Sequence, residues 1–151
     1  MVILTTRAEP GSSDARSLID LSMTAEQREK ARQLVEMADG HTLRLHLPRG
    51  SVLRPGDVLL SDTGEPVARI RAEPEPVYTL RADDPFALLR AAYHLGNRHV
   101  AMELAPDYLR IKPDHVLAHL IGHLGGLRII DESAAFVPEK GAYMAHHHDA
   151  H

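Results

Sequence analysis

The chain has 151 residues, room for one ordinary domain or two small ones, and its 44% hydrophobic and 25% charged content is that of a soluble globular protein. Seventeen basic against 21 acidic side chains leave a net charge of −4, which argues against nucleic acid as the main partner. No apolar run nears the ~20 residues that span a bilayer, no secretory signal is visible over Met1–Pro10, and the lack of cysteine excludes disulfides, thiolate catalysis and cysteine-held zinc or iron–sulfur centres, so a cytoplasmic protein with no membrane partner is expected.

In chain order, Val2-Ile3-Leu4 and Leu18-Ile19-Leu21 predict two short strands. Thr24 and Gln27 form a capping-box pattern that opens a short helix. Leu34, Val35 and Met37 lead into Asp39-Gly40, a hairpin signal, after which Leu43, Leu45 and Leu47 alternate with Arg44 and His46 as a half-buried strand. Pro55-Gly56 and Asp62-Thr63-Gly64 punctuate further strands over Val58–Leu60 and Val67–Ile70. These short strands between turn signals predict a small antiparallel unit. Glu73-Pro74-Glu75-Pro76 reads as a stiff, exposed connector and the domain boundary.

Beyond it the rhythm changes. Val77–Leu80 predicts a strand. Asp84 caps a helix with Pro85 at its first position, and Phe86, Leu89, Ala92 and Tyr93 lie at helical spacing. Gly96-Asn97 is expected to end that helix in a conformation glycine tolerates. Val100, Met102 and Leu104 alternate as a strand, and Tyr108–Ile111 returns after Pro106-Asp107. Asp114 caps a second helix carrying Val116, Leu117, Leu120, Ile121 and Leu124, stopped by Gly125-Gly126 before a last strand over Leu127–Ile130. The order βαββαβ is that of ferredoxin-like domains. The fold class is therefore α+β. We expect a β-rich domain over 1–74 and a ferredoxin-like domain over 75–143. Periodicity is lost after Glu132, and a mobile His-rich tail is expected, with its flexible part over 144–151.

Histidine appears 11 times while tryptophan is absent and phenylalanine appears twice. Four of these imidazoles, His146, His147, His148 and His151, fall in the last six positions with Asp149 among them. Imidazole suits nickel, copper and zinc, and a short His-rich tract is a metal-binding composition. The alternative is a purification tag, although tags are usually uninterrupted. His94 and His99 flank the end of the first long helix; from spacing alone a structural role for each outweighs ligation. A single histidine could still pair with its twin across a two-fold axis. His115, His119 and His123, at i, i+4 and i+8, form a helix stripe that spacing alone reads as a solvated face, with His115 beside Asp114 the better secondary ligand. The HExxH pattern of metalloproteases is missing, as are the P-loop and the GxGxxG fingerprint, and no residue is nominated as a nucleophile.

The segment Tyr93-His94-Leu95-Gly96-Asn97-Arg98-His99-Val100 is very similar to the signature of the UreE family, urease accessory nickel chaperones. Leu47-Pro48-Arg49-Gly50, Leu53-Arg54-Pro55-Gly56-Asp57, Asp114-His115-Val116-Leu117, Phe136-Val137-Pro138-Glu139 and Gly141-Ala142-Tyr143 extend the resemblance over nearly the whole chain. It implies a nickel carrier and not an enzyme. It also implies a homodimer, or a higher oligomer, in which two copies of His99 share a nickel ion and the tail histidines 146, 147, 148 and 151 complete its shell. Zinc or copper would substitute. The β-rich domain would dock protein partners, and the partners implied are the urease-associated GTPase UreG and apo-urease with its accessory complex. A peripheral ligand pair of some relatives matches His115, but its second position falls near Pro113, which offers no side-chain ligand. Two rival readings are a protein-binding adaptor with an incidental tail and a small metal-dependent hydrolase built on the His115 stripe.

Overall fold

The computed structural model describes residues 1–9 and 17–140. The chain divides into two compact units, the first Met1–Glu73 and the second starting at Pro74. No described helix is long and apolar enough to cross a membrane.

The first unit is a six-stranded sheet built from β1 (Val2–Arg7), β2 (Ile19–Met23), β3 (Arg32–Glu36), β4 (Thr42–His46), β5 (Val58–Ser61) and β6 (Pro66–Ala72), in the order β2-β6-β5-β1-β4-β3. The local hairpins form as the turn residues dictate. Between β3 and β4, Gly40 takes φ +91, and the Gly40 N–H donates to the Met37 carbonyl. The alternation in β4 holds: Leu43, Leu45 and Leu47 are buried while Arg44 and His46 face water. A one-turn helix α1 (Ala25–Arg28) has the full capping box, with Thr24 Oγ1 accepting from Gln27 N and Gln27 Oε1 accepting from Thr24 N.

The unit is mixed, however, not antiparallel. β1 runs parallel to β4, with Val2 opposite Leu43, and β2 runs parallel to β6, with Leu21 opposite Ile70. These partners come together because Leu4, Leu21, Met23, Leu59, Ala68 and Ile70 must share one buried face. Turn chemistry specifies neighbours in the chain and is silent on partners some forty residues away.

The second unit follows the order βαββαβ: β7 (Glu75–Arg81), α2 (Pro85–Gly96), β8 (Glu103–Leu104), β9 (Leu109–Ile111), α3 (His115–Leu124) and β10 (Arg128–Ala134). Its sheet order is β10-β7-β9-β8 with every neighbour antiparallel. Leu80, Leu88, Ala91, Leu95, Leu109, Ile111 and Ile121 form the core between sheet and helices.

Two expectations fail here. The Glu-Pro-Glu-Pro stretch is not a uniformly exposed connector, because β7 begins inside it. Glu75 is buried and ion-paired to Lys112, and Val77 is fully buried. The chain after Glu132 is also ordered further than its composition suggests. β10 pairs with β7 through Ala134, Phe136 is 1% exposed, Val137 N–H donates to Glu103 Oε1, and Glu139 N–H donates to the Met102 carbonyl. The flexible tail expected over 144–151 lies outside the described residues.

Candidate metal centre

Helix α2 begins at Asp84, whose carboxylate accepts from Phe86 N at 3.0 Å, with Pro85 in the first turn where its missing N–H costs nothing. Its core face is Leu88, Ala91 and Leu95. Phe86, Leu89 and Tyr93, which share the i, i+3, i+7 stripe, point the other way and are 60%, 66% and 65% exposed. The helical spacing of these residues was readable; their outward direction follows from which face the sheet covers.

The C-terminus of α2 closes as a Schellman motif. Val100 N–H donates to the Leu95 carbonyl and His99 N–H to the Gly96 carbonyl. The left-handed residue this motif requires is His99, at φ +57, and not Gly96. Glycine is the usual occupant, and an L-residue there costs roughly 1–2 kcal/mol. Val100 and Leu95 pack in the same core, which holds the turn shut. His99 is therefore exposed and fixed in backbone direction, and among the described residues its imidazole has no hydrogen-bond partner. His94 sits half-buried one turn back, its ring edge-on to Tyr93 at 5.2 Å.

On α3, Asp114 Oδ1 accepts from Val116 N and Leu117 N at 2.8 and 3.0 Å. Both capping bonds fall on that one oxygen, and no contact joins the carboxylate to the exposed His115 beside it. His119 and His123 meet through their Nε2 atoms at 3.0 Å. In the first unit His41 Nδ1 bonds Asp39 Oδ2 at 2.7 Å, and His46 lies apart on β4 opposite Arg32. The His41 backbone N–H, then its ring, hold the Asp39 carboxyl below the usual carboxylate range. Among the described residues no three histidine or carboxylate side chains converge as a metal site. His146, His147, His148 and His151 lie outside the described residues.

A polar cluster that the sequence reading missed lies beside α2's exit strand. Glu103 Oε2 accepts from Tyr108 Oη at 2.9 Å and pairs with Arg110, whose Nε also reaches Thr79 Oγ1 at 3.0 Å. The Arg110 guanidinium lies 4.5 Å from the Tyr108 ring centroid. The Glu103 bond pushes the Tyr108 phenol above its ordinary value. The other Glu103 oxygen holds Val137, so this cluster fastens the segment 136–139 alongside Met102 and Glu103. Its one sequence signal was Arg110, a charge placed between two buried strand residues.

Comparison with known families decides the affiliation. Residues 3–73 match the model of the UreE urease accessory protein N-terminal domain, and residues 75–151 match that of its C-terminal domain. The chain belongs to the UreE family. It is 48% identical over 143 residues to the urease accessory protein UreE of Nostoc punctiforme, an alignment covering 95% of this chain and 96% of that one. Against the UreE proteins of Thermosynechococcus vestitus and Pseudomonas putida the identities are 43% and 40%, with 97% and 98% of this chain covered and 100% and 89% of theirs. In this UreE-family chain the signature segment at 93–100 is the end of α2 together with its His99 turn.

Proposed function

We propose that this UreE-family protein is a nickel metallochaperone for urease maturation, a carrier and not a catalyst. The observation that carries the reading is His99, exposed on a backbone turn that fixes its direction, at the end of a helix whose Phe86–Leu89–Tyr93 stripe is uncovered. Large exposed apolar stripes mark interaction sites. A two-fold pairing through α2 buries this one and brings two His99 imidazoles to a shared ion, which is how one ligand per subunit becomes two.

The attachment of Val137 and Glu139 to Glu103 and Met102 supports a role for the tail. Glu139 is tied to Met102 by a backbone hydrogen bond, one residue before Lys140, and His99 lies three residues before Met102. His146, His147, His148 and His151 are then six to eleven residues from Lys140, a reach of up to about 20–36 Å. Such ligands close over a nickel ion and, being replaceable one at a time, release it to imidazoles or thiolates of a partner. We assign that partner role to UreG and the final acceptor role to apo-urease and its accessory complex, with zinc or copper able to occupy the same imidazoles. His115 is a secondary ligand at most. The loaded state requires neutral imidazoles, so acid unloads it.

Calorimetric titration of the full chain with nickel, alongside native mass spectrometry, tests this. The wild-type protein should show a tight site on a dimer, and His99→Ala should lose that site while remaining dimeric. Unchanged tight binding in His99→Ala, or a strictly monomeric loaded protein, overturns the assignment.

A further inference from the structure

The solvated-face reading of the α3 stripe is incomplete once the rings are placed. His119 and His123 stand one turn apart on the same face, their ring centroids 4.5 Å apart at an interplanar angle of 83° and their Nε2 atoms 3.0 Å apart. One imidazole donates its Nε2–H to the other's lone pair. We propose that His119 and His123 form a two-imidazole site for a late first-row divalent cation, nickel or copper, independent of His99.

The separation is the first argument. Imidazole nitrogens lie about 2.0–2.1 Å from such ions, so two of them at right angles around one ion are about 2.8–3.0 Å apart, and at the tetrahedral angle about 3.3–3.4 Å. The 3.0 Å separation is that of the hydrogen bond between the rings, and it puts both nitrogens within a small ring rotation of adjacent positions on one ion; the preference for nickel or copper comes from imidazole's place in the Irving–Williams order. Metal takes the place of the bridging hydrogen: the donor ring moves its proton from Nε2 to Nδ1, both rings stay neutral, and both Nε2 lone pairs turn to the ion. No oxidant and no other group is needed.

Access and field agree with this. Both rings are exposed, and a Cβ built on neighbouring Gly122 would meet nothing within 4 Å, so a hydrated ion can approach and keep water in its remaining positions. The pair occupies the last two turns of α3, which ends at Leu124, where the helix dipole favours positive charge. With two protein ligands and open water positions the site loads and empties quickly. Hard cations such as magnesium, which prefer oxygen, are excluded by chemistry.

Histidine footprinting of the full-length, metal-free protein tests the site. Diethyl pyrocarbonate labels each imidazole, and peptide mass spectrometry reads every histidine separately, with nickel chloride alone as the ligand and magnesium chloride as the control. At about ten times the dissociation constant, nickel should lower labelling of His119 and His123 together by about tenfold, and magnesium should not. His123→Ala should abolish protection of His119, and His119→Ala that of His123, whereas His115→Ala should leave both protected. These are exposed helix positions where alanine favours the fold, and far-UV circular dichroism checks it. Equal labelling with and without nickel, or protection of His119 that survives His123→Ala, overturns the site. His99 is read in the same digests, so failure here and failure of the His99 assignment are told apart.

Discussion

Leu59, Ala68 and Ile70 in the first unit and Leu80, Leu95 and Ile111 in the second are all fully buried, but the two units treat the rest of their apolar side chains differently. In the first, the exposed ones are Met1, Val2, Ile3, Ile19 and Leu34, of which Met1, Val2 and Ile19 border one cavity with Met37 and Leu43 while the others lie apart on strands, and the histidine nearest a turn is spent on Asp39. In the second, Leu104, Val116, Ile129 and Ile130 are exposed singly or in pairs, but Phe86, Leu89 and Tyr93 make a stripe along one helix, and His99, His115, His119 and His123 all face water. The lesson is that the second unit leaves outside, along one helix and just past it, the apolar stripe and the imidazole on which the proposed function rests, an arrangement the first unit does not have.

The largest expected effect tests that contrast directly. Ile70→Ala should cost about 2–5 kcal/mol in denaturant unfolding. Leu89→Ala, in protein dilute enough to be monomeric, should stay within about 0.5 kcal/mol. Equal losses would mean that the α2 stripe is core after all. Next, Glu103→Ala should cost about 1–3 kcal/mol, because it strands the Val137 N–H and the Tyr108 hydroxyl, while Arg110 keeps Thr79 and Glu132. It should also speed amide exchange at Val137 and Glu139 ahead of the rest of the sheet. Uniformly faster exchange across the unit would show that Glu103 serves the fold and not the segment.

Smaller but sharper is His99→Gly. Glycine suits φ +57, so this variant should be more stable than wild type by about 1 kcal/mol, whereas His99→Ala should be less stable than His99→Gly by a similar amount. A loss of stability in His99→Gly would mean that the imidazole supports the turn, and the functional reading of its exposure would weaken.

The smallest effect concerns Asp39. Its carboxyl is held low in the folded state, so its contribution is present above the ordinary carboxylate range and is lost as pH falls through the depressed value. Both partners are exposed, so solvent screens the pair and the global effect is slight. A carbon-detected titration should place the Asp39 midpoint below 3.8, and His41→Asn should move it part of the way back, since the backbone N–H of residue 41 remains. An unshifted wild-type midpoint would remove this turn from the account.

What could be read from the amino acids depended on the range of the signal. The Thr24–Gln27 capping box, the Asp39-Gly40 hairpin, the Asp84-Pro85 helix start and the Asp114 cap are each written within four residues, and each forms as read. The βαββαβ order followed from those signals. The parallel pairs β1–β4 and β2–β6 were not readable, because no local residue encodes a distant partner. Docking of 136–139 was hidden for the same reason: Phe136 stands in an aperiodic stretch, and its neighbour's partner is Glu103, more than thirty residues away. At the candidate centre, spacing alone favoured a structural role for His99 and only the resemblance of segment 93–100 singled it out, while its left-handed backbone was hidden because Gly96 was the stronger local candidate. The rings of His119 and His123 were placed on one face by spacing; their separation required coordinates.

The fastening of Val137 and Glu139 beside Met102 has one more consequence. A chain end that departs from a fixed root samples a small volume, so any donor it carries meets its neighbourhood at an effective concentration set by tether length and not by how much protein the solution holds. Under the proposed nickel role, lengthening or shortening the span after Lys140 is expected to tune capture and release as a dial would, with no change to a single coordinating atom.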